Sequence, residues 1–153
     1  MENTNSAQTE QLLMVLLAQR VETHHADLVG RYLSILRESL FSNRAEVRPS
    51  ILKSIASEEA DTLLHFLRQS GFSGAERGEQ LHRAGFNAGA ILKLSQITRQ
   101  FLLNHLENHQ IAPMLEIVDT YQLAIIEGFV QSIDKTNLIE LERTRNALQR
   151  NDG

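Results

Sequence analysis

After Pro113 nothing in the sequence ends a helix until Asp152-Gly153, and this unbroken stretch limits the fold more than any other feature. Continuous from Pro113 to Arg150, the helix would hold 38 residues and run roughly 57 Å at 1.5 Å per residue. That exceeds the depth of a 153-residue domain, so part of the helix has to leave the body it starts in. Its first half, Met114 to Ile133, carries large apolar residues on more than one face, the pattern of a helix buried in a bundle or a dimer. From Asp134 the apolar residues thin to Leu138, Ile139, Leu141, Ala147 and Leu148. Leu141 and Leu148 stand one heptad apart, with Leu138 three residues before Leu141, which suits a two-stranded coiled-coil seam. Glu140–Arg143 and Glu142–Arg145 are spaced for i,i+3 ion pairs. The reading divides the chain into a body, 1–133, and a helical linker, 134–153, and assigns Ile126, Phe129, Val130, Ile133, Leu138, Leu141 and Leu148 to a homodimer and linker surface.

Upstream, two prolines and eight glycines are the main punctuation, and apolar residues recur every three and four positions with no convincing strand. The expected class is all-α, with about six helices. Helices are expected from Ala7 to about Glu22, from about Ala26 to Phe41, from Pro49 to before Gly71, from Ser73 to about Ala84, from about Asn87 to Asn108, and from Ala112-Pro113 onward. Ser42 to Arg48 reads as a polar link, Gly71 and Gly85 as left-handed stops, and Ser73-Gly74-Ala75-Glu76 as a capping box. Gly74, Gly78 and Gly89 fit caps and close helix contacts.

Composition narrows the function classes. The absence of cysteine excludes disulfides, thiolate metal sites and thiol nucleophiles, and agrees with a cytoplasmic location. A formal charge of −4 with scattered basic residues argues against nucleic acid as a partner. The run Leu12 to Ala18 is too short to span a bilayer, so no membrane anchoring is expected. No phosphate-loop motif and no triad or paired-carboxylate spacing can be named, and the expectation is a domain that is not itself an enzyme.

Six histidines raise the question of metal. His105 and His109 are spaced i,i+4 as on one helical face, and the expectation is a surface pair at a helix C-terminus, where imidazolium suits the dipole. His24-His25 reads as a polar loop pair, and His65 as a satisfied boundary residue. His82, near the end of a short helix, reads first as a core-edge histidine bonded to a carbonyl.

The order long, long, long, short, long, very long resembles a globin fold. The stretch Arg68-Gln69-Ser70-Gly71-Phe72-Ser73 into Leu81-His82-Arg83-Ala84-Gly85-Phe86-Asn87-Ala88-Gly89, with the helical tail, is similar to the non-haem globin-like sensor domain of stressosome co-antagonist proteins, the RsbR-type N-terminal domain. The resemblance covers nearly the whole chain. It implies a bacterial signal-transduction protein whose N-terminal input domain is a homodimer with no cofactor. A signal, for which a small apolar ligand is a candidate, would pass through the last helix to a C-terminal output domain such as a histidine kinase, a cyclase or a STAS module. The chain ending at Gly153 is expected to be a piece of something longer. A second resemblance is to haem-binding globin-coupled sensors. It would give His82 the iron-ligand role and Tyr32 a distal hydrogen-bonding role on haem b, in a gas or redox sensor. The glycine that usually follows that histidine four residues on is here Gly85, three on, and aromatics make up only 5% of the chain. A dimerisation scaffold without ligand is the third reading.

Overall fold

The computed structural model describes residues 2–43 and 48–151, and the expected link from Ser42 to Arg48 lies largely outside them. Among the described residues there is no strand, and six α-helices follow one another: α1 (Glu2–Thr23), α2 (His25–Asn43), α3 (Leu52–Leu67), α4 (Gly74–Arg83), α5 (Ala88–Leu103) and α6 (Ile111–Asn151). A 3-10 turn precedes α3 at Pro49–Ile51 and another precedes α6 at Asn108–Gln110.

The helix boundaries follow from local chemistry. Ser73 accepts a hydrogen bond from the Glu76 amide and Asn87 from the Ala90 amide, so α4 and α5 each begin on a side-chain cap. Gly85 is left-handed at φ 92° and closes the turn after α4. The end of α3 departs from expectation. The Gln69 amide donates to the Phe66 carbonyl and the Ser70 amide to the His65 carbonyl, with Gln69 itself at φ 53°. The left-handed stop is therefore Gln69, and Gly71 at φ 78° shapes the turn that follows.

The core is one cluster. α2 lies between α3 and α5 and buries Leu28, Tyr32 and Leu36; α1 contributes Leu13, Leu17 and Val21 against α3. α5 supplies Leu94, Phe101 and Leu102, and α6 supplies Met114, Val118, Tyr121 and Ile125. Each fully buried leucine of this set contributes about 1.5–3 kcal/mol relative to exposure.

α4 is short and polar yet packs more extensively on α6 than any other pair of helices in the fold. The reason is glycine. A Cβ on Gly74 would sit 2.5 Å from the Ala124 backbone, one on Gly128 would sit 2.5 Å from the Gly74 carbonyl oxygen, and one on Gly78 would overlap the Phe129 amide. The two helices touch backbone to backbone. α6 has 41 residues, about 61 Å. No described helix is long and apolar enough to cross a membrane.

Candidate functional site

Two features have no purely packing explanation: a polar cluster inside the bundle, and the part of α6 that leaves it. The polar cluster draws on five helices, α2 to α6. Arg77 on α4 donates through Nε and Nη2 to Glu59 Oε2 on α3 at 3.0 and 2.8 Å, and both side chains are almost wholly buried. Arg77 also reaches the Ile55 carbonyl at 3.3 Å and the outer carboxylate of Glu58 at 3.4 Å. The other Glu59 oxygen accepts from the Tyr121 hydroxyl of α6 at 2.9 Å. Tyr32 on α2 and Thr98 on α5 share a 2.6 Å hydrogen bond, and Thr98 donates on to the Leu94 carbonyl. Burial, and then the Glu59 carboxylate, push both tyrosine hydroxyls far above their ordinary range, so both stay protonated. No buried side-chain polar atom among the described residues lacks a partner.

Sequence reasoning placed neither Glu59 nor Arg77. A signal was present: Glu59 falls on the stripe Ile55, Ala56, Ala60, Leu63, and Arg77 on the line Gly74, Gly78, Leu81, so each is a charge where the helical period calls for a buried residue.

Tyr32 and His82 are not brought together at a pocket. Tyr32 is fully buried and engaged with Thr98. His82 lies half-buried against α6, its Nδ1 within 2.7 Å of Ser132 Oγ and its ring edge-on to Phe129 at 5.6 Å; the partner is a hydroxyl where a carbonyl was expected. The cavity nearest the polar cluster, lined by Glu59, Thr98, Tyr121 and Gln122 among others, measures about 10 Å³, at the lower limit for one water. Neither Tyr32 nor His82 lines it. Haem needs a flat slot open in front of the liganding nitrogen, and these residues do not form one. A half-open cavity of about 250 Å³ does lie between α1 and the end of α3, floored by Met14, Val15, Ala18 and Leu67 and rimmed by the Arg68–Glu22 ion pair.

The remaining histidines fall differently from the sequence reading. α5 stops at Leu103, because Asn104 caps it and Glu107 and Gln110 form their own capping box around the next turn. His105 and His109 therefore do not share a helical face. His109 is exposed beside Glu107 at 3.4 Å. His105 stacks on His24, ring centroids 4.3 Å apart, and both lie over the buried ring of Phe101. His25 bonds Asp61 at 2.9 Å, so the expected loop pair is in fact two tertiary contacts. His65 is satisfied by the Ser70 carbonyl at 2.9 Å. No group of three or more potential metal ligands occurs among the described residues.

In α6, Met114, Ile117, Val118, Tyr121, Ile125 and Phe129 face inward. Phe129, expected on the dimer surface, instead packs inside its own chain against His82. Ile126 and Ile133 are partly buried at the rim, while Val130 stands in solvent. From Asp134 to Asn151 every residue is exposed, a rod of about 27 Å that carries Leu138, Leu141 and Leu148, each more than 60% exposed. The expected Glu140–Arg143 and Glu142–Arg145 pairs do not close; among the described residues these four side chains make no ion pair.

Comparisons of this chain with protein-family models, curated proteins and solved structures returned no match.

Proposed function

We propose that the chain is a haem-free, globin-like signal-input domain that works as a homodimer and passes its state along α6 to whatever follows it. The observation that carries the reading is the division of α6. Its first half is held backbone to backbone by α4 and tied to α3 through Tyr121 and Glu59, and every residue of its second half from Asp134 onward is exposed. A helix held at one end and extending from the body carries a shift of the held end toward its tip. The apolar residues along the free half are the places where a partner would bury it.

The filled space around Tyr32 favours the haem-free form over a gas or redox sensor. The cavity between α1 and α3 offers a small apolar ligand a place to bias the packing of the body. In this reading the domain catalyses nothing itself, and an output module such as a histidine kinase would read the position of the tail.

The test is spectroscopic. Spin labels are placed on Arg150→Cys in the otherwise cysteine-free chain, and Glu59→Gln perturbs the polar cluster inside the body. A relay shifts the distance distribution between the two tails. A dimer whose tails keep the same spacing is a scaffold, and the relay reading falls. Addition of haem should produce no Soret band that His82→Ala removes; a band of that kind would restore the haem reading.

A further inference from the structure

α6 carries a second, largely apolar line on the side away from its buried face. Leu123, Val130, Leu141 and Leu148 are 56%, 48%, 66% and 62% exposed. The half-buried Ile126 and Ile133, and then Asn137 and Thr144, fall between them. The steps along this line from Leu123 run three, four, three, four to Asn137, then four to Leu141, three to Thr144 and four to Leu148. That is a heptad seam with one additional four-residue step. A heptad line slips about 20° per repeat around a straight helix, and a four-residue step turns it back by about 40°. The line therefore stays on one side of α6 for its whole length, from the body into the tail.

The two polar residues on the line are compatible with a buried seam. The Thr144 hydroxyl donates to the Glu140 carbonyl of its own helix at 3.0 Å and leaves its methyl outward. Asn137 is exposed, and one asparagine in an otherwise apolar seam fixes register and strand number in two-stranded pairings, at some loss of stability. Charges flank the line on opposite sides. Glu140 precedes Leu141 on one flank and Arg145 follows Thr144 on the other, five residues apart, and neither is paired within its chain. In a parallel two-stranded pairing, residues at these two flanking positions meet across the seam, and Asn137 meets its own counterpart. An antiparallel pairing that sets Leu141 opposite Leu148 would instead bring the two Arg145 side chains together and separate the two asparagines.

We propose that α6 pairs with α6 of a second copy, parallel and in register from Leu123 to Leu148, with Glu140 of each chain meeting Arg145 of the other. An identical chain in this register satisfies both flanks and the asparagine at once, and this identifies the occupant of the line as a second copy of this chain. The proposal supplies the geometry of the dimer in the reading above and rests on that reading for its purpose; the pairing itself can hold with no relay.

The chain's lack of cysteine makes the test direct. Asn151→Cys adds a thiol three residues beyond Leu148, on the same line, without removing a leucine. In a glutathione redox buffer it should form a disulfide-linked dimer, while Glu142→Cys, on another face of the same helix, should remain largely free. In sedimentation, Glu140→Arg and Arg145→Glu should each weaken the dimer by roughly threefold to tenfold, and the double variant should restore it to near the parent value. A monomer at tens of micromolar overturns the proposal. So does a dimer that crosslinks no better at position 151 than at 142, or single variants that the double one does not rescue. A correctly crosslinked, charge-rescued dimer whose spin-labelled tails do not respond to Glu59→Gln keeps this pairing and removes the relay.

Discussion

Glu59 and Arg77 form the least expendable contact in the body, because each is buried and each is the other's principal counter-charge. Removing one partner of a buried pair strands the other and costs about 3–5 kcal/mol, whereas replacing both by apolar residues of similar size is often neutral. Glu59→Ala should therefore lower the unfolding free energy read from urea melts by an amount in that range. Glu59→Leu with Arg77→Met should be much closer to the parent than the two single changes added together. An additive double variant would mean that the pair is not coupled. The histidine stack predicts a pH dependence. Burial, then the neighbouring His24 and Arg20, depress the His105 pKa below its usual 6.5. The unfolded chain then binds the proton more readily than the folded one. The stability this site contributes is present above pH 6.5 and is lost as the pH falls below it. Urea melts between pH 7.5 and 5 should show that decline, and His105→Gln should flatten it; an unchanged slope in the variant would assign the decline to other groups.

At the scale of elements, the short and polar α4 is the contact that fixes α6, and its glycines are the means. Gly78→Ala introduces a methyl that meets backbone at Phe129 and Gly128 with no flexible side chain to yield. The expected loss is about 1–3 kcal/mol, read by thermal melting, whereas Gly30→Ala, where a Cβ meets nothing within 4 Å, should be neutral or slightly stabilising. Much of this level was legible from the chain: Ser73 as a cap, the start of the fifth helix near Asn87, Gly85 as a stop, Pro113 in the first turn of the last helix, and the helical class itself. The end of α5 was not, because Leu106 continues the apolar period of Ile97, Phe101 and Leu102 past Asn104, and the stop is set by a cap and a competing capping box. The polar cluster was hidden for a different reason. A glutamate and an arginine 18 positions apart each stand out as a charge on a buried stripe, but nothing in the chain pairs them until the fold brings them together. The outward face of α6 was only half visible: Val130 and the tail leucines lie on it or beside it, but Phe129 is one residue from Val130 and turns inward.

For the whole molecule, the balance between the body and the rod decides how association and stability are linked. Residues 134–151 are all exposed, so removing them takes no core residue away and leaves the core from Leu13 to Phe129 intact. A chain ending at Ile133 should keep its helical signal and a cooperative melt. What it should lose is mass action. When folding and pairing are coupled, the melting temperature rises with protein concentration. The full chain should show that rise, and the shortened chain should show a smaller one, because only the Leu123 to Ile133 part of the outer line remains to be covered. Melts across a hundredfold range of protein concentration, for the two chains side by side, make the comparison. Equal slopes would mean that the rod adds nothing to association and that the body alone holds the dimer. A shortened chain that fails to melt cooperatively would mean that the rod supports the body through contacts this structure does not contain, and the division of α6 into a held half and a free half would have to be abandoned.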